Sequence, residues 1–115
     1  RDILVRVIVK KTAAHYSYKS VRISKTDFPV LTCAAALTQE GVQAAVGARP
    51  AKAALVKDAE QLATLPMTAE KAQAFAEYAA GLLPTETNPR GSAAYRTHLI
   101  KVLTARCLTE LGGKA

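Results

Sequence analysis

Residues 30–48 read VLTCAAALTQEGVQAAVGA. Two apolar runs, 30–37 and 42–48, flank the short joint TQEG at 38–41. Each run has strand length, and a polar, glycine-containing joint between two such runs signals a β-hairpin. An antiparallel pair in mid-chain constrains everything else, because the remaining segments must extend it or pack on it. Arg49-Pro50 ends its second strand, since proline brings no N–H to a ladder. A further strand is expected at 3–10, ILVRVIVK. There Ile3, Val5, Val7 and Val9 share a face expected to be buried, and Leu4, Arg6, Ile8 and Lys10 share the other. Residues 11–29 are polar and irregular in pattern, with Tyr16, Tyr18 and Phe28 embedded.

From Ala51 the period lengthens. Ala54, Leu55, Asp58, Leu62 and Leu65 fall at steps that suit a helix over 52–64, and Pro66 stops it. Thr68 is placed to cap a second helix, 68–83, with Glu70 and Lys71 in its first turn. Its stripe is Ala72, Phe75, Ala76, Ala79 and Leu83, and Pro84 ends it. PTETNPRG at 84–91 is a loop of turn residues. Ser92 then caps a third helix, 92–111, with Tyr95, Leu99, Val102, Leu103, Leu108 and Leu111 buried and Gly112-Gly113 as its stop. Strands followed by helices make an α+β fold, a small antiparallel sheet of about three strands beside a three-helix layer.

Composition narrows the function classes. The 115 residues suit one domain, and a 50% hydrophobic fraction supports a core. No apolar run approaches the ~20 residues of a membrane span. Cys33 and Cys107 stand far apart, with no CxxC or Cys/His spacing. They are expected as buried free thiols in a reducing, cytoplasmic compartment rather than as a disulfide or a zinc site. The net charge is +7, yet no block of five or six basic residues occurs. No catalytic constellation accompanies His15 or His98, and Ser92 lies in no G-x-S-x-G elbow. There is no GxGxxG or P-loop, and the Gly47-Ala48-Arg49-Pro50 turn is too short to cradle a phosphate. Arg90-Gly91-Ser92 at a helix mouth reads in two ways: as an anion trap on free N–H groups, or as a turn followed by a cap.

Three stretches, in order, resemble one family: YSYKSVRISKTDFPVLTCAAAL (16–37), VQAAVGARPAKAALV (42–56) and RGSAAYRTHLIKVLTARCL (90–108). The chain resembles the C-terminal domain of the FAD subunit of molybdenum hydroxylases, such as xanthine dehydrogenase and carbon monoxide dehydrogenase. The resemblance implies an oxidoreductase in which FAD takes electrons from [2Fe–2S] clusters fed by a molybdopterin centre and passes them to NAD or another acceptor. The glycine-rich FAD loops belong to an N-terminal domain in that family. Residues 1–115 are therefore expected to be a C-terminal-domain fragment, inactive alone and not retaining FAD. It would close over one side of the flavin. The implied partners are the N-terminal FAD-binding domain, the molybdopterin subunit and the [2Fe–2S] subunit, with no nucleic acid and no membrane. By position, Lys19 matches the lysine that approaches the flavin, where a cation would favour the anionic reduced form. Phe28, following Asp27, falls where the family often has an aromatic or apolar residue near the ring, with a core anchor as its other reading, and Asp27 is grouped with them as cofactor-binding. Arg22-Ile23 departs from the adjacent arginine pair common in the family.

On this reading Asn88-Pro89-Arg90-Gly91 is a turn, Ser92 a cap, and Tyr95 and Arg96 lock the third helix to the sheet and the neighbouring domain. The alternative is a self-standing basic module that binds nucleic acid or an acidic protein. It calls for Lys and Arg gathered on one face, whereas the flavoprotein reading calls for a mixed surface with an exposed apolar patch.

Overall fold

The computed structural model describes residues 2–114. Four strands, β1 (His15–Arg22), β2 (Pro29–Thr38), β3 (Gly41–Gly47) and β4 (Ala54–Lys57), precede two helices, α1 (Ala69–Leu82) and α2 (Ala93–Lys114). The strands form one antiparallel sheet in sequence order. The α+β class and the central hairpin stand as expected. The joint is tight, with Thr38 opposite Gly41 and only Gln39 and Glu40 between them. Gly41 takes a φ of 119°, which glycine adopts without a Cβ clash. Thr38 Oγ1 donates to the Gly41 carbonyl at 3.0 Å and accepts from Glu40 N at 3.2 Å, which closes the turn.

Three expectations are corrected. Residues 3–10 join no strand, and Ile3, Leu4, Val5, Val7, Ile8 and Val9 are 73–86% exposed. Alternating β-branched residues favour an extended backbone, but that preference alone does not pair a strand, and the outer edge of β1 takes no strand among the described residues. The place of the third strand is taken from the stretch read as irregular. In β1, Ser17, Lys19 and Val21 turn toward the helices, while Tyr16 and Tyr18 stay exposed on the other face. Polar side chains on both faces had hidden its alternation. The helix expected at 52–64 is also absent. Ala54–Lys57 instead pairs with β3, Val56 opposite Ala44 and Leu55 opposite Ala45, because the outer edge of β3 is open to a strand. After β4, Asp58 caps a turn: its carboxylate accepts from Leu62 N and Ala63 N, both at 2.8 Å.

The two remaining helices begin where their caps predict. Thr68 Oγ1 accepts from Lys71 N at 3.2 Å, and Ser92 Oγ accepts from Tyr95 N at 3.1 Å. The α1 stripe is buried as expected. Helix α2 runs through Gly112 and Gly113 instead of stopping there. A Cβ on Gly112 would stand 2.7 Å from Met67 Cβ, so the glycine is needed for close packing and not for termination. Tyr95 is exposed and does not join the α2 core stripe, and Val102 is only partly buried. The core joins Leu31, Cys33 and Ala35 of β2 and Val42, Ala44 and Val46 of β3 to Phe75, Ile100, Leu103, Leu108 and Leu111 of the helices. Alanines at 72, 79 and 80 keep the layers close. The far face of the sheet has no such cover and carries the exposed Tyr16, Tyr18 and Leu55.

Candidate flavin-proximal surface

Arg96, one turn into α2, is 1% exposed. Its guanidinium donates to Val30 O at 2.9 Å, Glu86 O at 2.7 Å, Gly91 O at 2.6 Å and Asn88 Oδ1 at 2.7 Å. One planar fork thus binds the start of β2 to loop 84–91, a geometry that lysine cannot reproduce. Its acceptors are three backbone carbonyls and a side-chain amide, so the buried charge is stabilised by dipoles. Asn88 and Gly91 pair with each other across the loop, with N–H···O distances of 3.0 and 3.1 Å. The Arg-Gly-Ser segment is therefore a turn followed by a cap. Arg96 locks the helix to the sheet as expected, while Tyr95 is exposed with its ring edge beside Gly91 of the loop.

The anchored loop carries Arg90 to the turn between β1 and β2. Arg90 Nη2 donates to Asp27 Oδ1 at 2.9 Å, with Nε 3.3 Å from both carboxylate oxygens. Asp27 Oδ1 also accepts from Phe28 N at 2.7 Å, and Arg22 Nη1 donates to Asp27 O at 2.6 Å. The Arg90 hydrogen bonds, followed by the Phe28 N–H, hold the Asp27 carboxyl below its usual range, and Asp27 raises Arg90 in return. Arg90 Cζ lies 5.2 Å from the centre of the Phe28 ring, within cation–π range. The ring itself is 73% exposed. The cluster presents a planar apolar surface held by satisfied charges. Asp27 remains an ionised acceptor and is not poised as a general acid.

Lys19 occupies a different place. Its Nζ lies 2.8 Å from Glu110 Oε2, near the end of α2, and that carboxylate raises its pKa. A shallow groove beside the pair is lined by Lys19, Ala72, Ala105, Thr109 and Glu110 among others. Lys19 stands opposite Cys33, whereas Phe28 adjoins Pro29, which pairs with Arg22. Their backbone positions are thus about 10 Å apart along the ladder. Sequence reasoning placed Asp27 and Phe28 together but missed Arg90, which lies 63 positions away from Asp27. It also missed Glu110. No local periodicity reports a partner at such a separation. Among the described residues no group of three or more His, Cys, Asp or Glu could hold a metal, and no helix is long and apolar enough to cross a membrane.

The fold has close counterparts among solved structures. Carbon monoxide dehydrogenase from Hydrogenophaga pseudoflava, in a form lacking the Mo-pyranopterin moiety of its molybdenum cofactor, superposes with a TM-score of 0.72 at 22% identity over 84% of this chain. Quinoline 2-oxidoreductase from Pseudomonas putida 86 gives 0.73 at 23% identity over 90%. This chain spans only 36% and 39% of the lengths of those chains. No curated protein sequence matches significantly. The family model for the CO dehydrogenase flavoprotein C-terminal domain matches residues 16–111, from the second residue of β1 nearly to the end of α2, and so takes in the Asp27–Phe28–Arg90 cluster, the Arg96 anchor and the Lys19–Glu110 pair. By that match the chain belongs to the family of CO dehydrogenase flavoprotein C-terminal domains.

Proposed function

We propose that this domain works within the FAD subunit of a molybdenum hydroxylase, where it covers one side of the flavin and docks partner subunits. The observation that carries the reading is the family match over residues 16–111. The residues present suit a flavin. Phe28 offers an exposed ring that Asp27 and Arg90 hold in place, fit to lie against a planar heterocycle. Lys19 offers a cation, although Glu110 already offsets its charge. A bound flavin would supply the electron-accepting and electron-donating chemistry. The chain's own residues would orient it and limit access of water. The N-terminal FAD-binding domain, the molybdopterin subunit and the [2Fe–2S] subunit are the partners this reading requires.

The distribution of cations favours this reading over nucleic-acid binding. Arg96, Arg90, Lys19, Arg22, Arg49 and Lys71 are each engaged by groups of the domain itself. Tyr16, Tyr18 and Leu55 meanwhile form an exposed apolar patch on the open sheet face, of the kind a docked domain covers. Co-expression of the chain with the FAD-binding domain of its subunit tests the reading. The expected result is a salt-resistant complex that holds stoichiometric FAD, with no FAD retained by this chain purified alone. Failure to associate, together with nucleic-acid binding that falls steeply with salt, would reverse it.

A further inference from the structure

Cys33 and Cys107 stand 74 positions apart in sequence, yet β2 and α2 bring them together in the core. Cys107 Sγ donates to the Cys33 carbonyl at 3.9 Å, and Cys33 Sγ lies 3.4 Å from Thr104 Oγ1, one turn earlier on the same helix face. The two residues are thus direct neighbours where β2 meets α2. Beside them Ser17 Oγ is the one buried side-chain nitrogen or oxygen, among the described residues, with no hydrogen-bond partner. A hydroxyl left unpaired next to two thiols costs free energy in the reduced protein. It becomes useful when a neighbouring sulfur carries negative charge.

We propose that Cys33 and Cys107 are a site of reversible oxidative modification, closing to an intramolecular disulfide when the domain meets a hydroperoxide. The Cys107 thiolate attacks one peroxide oxygen, breaks the O–O bond and becomes a sulfenic acid. The released hydroxide takes a proton and leaves as water. The Cys33 sulfur then attacks the Cys107 sulfur and expels hydroxide, which takes the proton Cys33 gives up. The sum is two thiols and one hydrogen peroxide giving one disulfide and two waters, with two electrons passing from sulfur to oxygen.

The order of roles follows from the surroundings. The Cys33 thiol first, then the Ser17 hydroxyl and the Lys19 ammonium, lower the Cys107 pKa against burial and the Glu110 carboxylate. Cys33 is pushed up by its bond to Cys107 and by burial, so it stays protonated and acts second. Closure requires the sulfurs to turn from Thr104 and from the Cys33 carbonyl toward each other. The 3.9 Å approach of Cys107 Sγ to the Cys33 carbonyl puts the two residues in direct contact, and the bridge needs their Cα atoms within about 7 Å of each other. Both sulfurs are buried and the groove beside the Lys19–Glu110 pair does not reach them, so peroxide has to enter by a transient opening of α2 at that groove.

The test treats the 115-residue chain with stoichiometric hydrogen peroxide, then denatures and alkylates it. The expected product is a monomer lighter by two hydrogens, with both thiols protected from alkylation, a 33–107 cross-linked peptide, and an unchanged far-ultraviolet spectrum. Dithiothreitol should restore both thiols. Cys33→Ser should leave a sulfenic acid on Cys107 that dimedone traps, and Cys107→Ser should give far less adduct. Both thiols still open to alkylation, links only between chains, sulfinic acid on Cys107 in place of the bridge, or loss of the fold alongside bridge formation would each overturn the proposal.

Discussion

Replacing Arg96 with methionine keeps much of the aliphatic volume and removes the guanidinium and its four hydrogen bonds. The Val30 carbonyl is the acceptor in a buried hydrogen bond and has no route to water, so stranding it should cost about 2–3 kcal/mol. Glu86 O, Gly91 O and Asn88 Oδ1 take part in part-buried bonds, and partial rehydration should hold each loss to about 1 kcal/mol. Against this, an ion no longer has to be kept out of water, which returns about 2–3 kcal/mol. The net expectation is a loss of about 3 kcal/mol, or roughly 12 °C in Tm for a domain of this size. Equilibrium urea unfolding followed by circular dichroism measures it, with an unchanged m-value confirming that the same surface is exposed. Arg96→Lys separates charge from geometry. If the planar fork is what matters, lysine should recover little of the loss, because a point charge cannot reach β2 and the loop together. A methionine variant within about 1 kcal/mol of wild type would refute the assignment of Arg96 as the lock between β2, loop 84–91 and α2.

The glycines of the helices should respond oppositely to alanine. Gly112→Ala should destabilise, since its Cβ would meet Met67 Cβ at 2.7 Å, whereas Gly81→Ala meets nothing within 4 Å and should gain up to about 1 kcal/mol of helix propensity, both read by urea unfolding. Asp27 is held below its unfolded pKa of 3.8 by Arg90, so its contribution is complete above that pH and is lost as pH falls through the lower folded value. Asp27→Asn should flatten acid denaturation curves in that window and leave the neutral-pH fold intact. Lys19→Met in the assembled enzyme should lower the flavin midpoint potential with little change in unfolding. Equal potentials in a redox titration with FAD intact would return Lys19 to the role of surface partner of Glu110.

The sequence by itself determined what neighbours one to four residues apart can decide. The 30–47 hairpin follows from two apolar runs around a two-residue turn with Gly41 at positive φ. Helices α1 and α2 follow from their caps at Thr68 and Ser92 and from apolar steps of three and four. The α+β class came with them, and the resemblance of three separated stretches indicated the family. Tertiary structure decided which segments found a partner. Ala54–Lys57 has helical spacing on both sides but became β4, because the edge of β3 was open and four ladder positions outweigh weak propensity. Residues 3–10 have the better strand pattern yet pair with nothing among the described residues. The site is nonlocal in the same way. Asp27 with Arg90, Lys19 with Glu110, Arg96 with Val30 and Cys33 with Cys107 are pairs 63 to 91 positions apart. Periodicity carries no record of such distances. They are set only when β2 lies under α2 and the loop before that helix closes over the sheet.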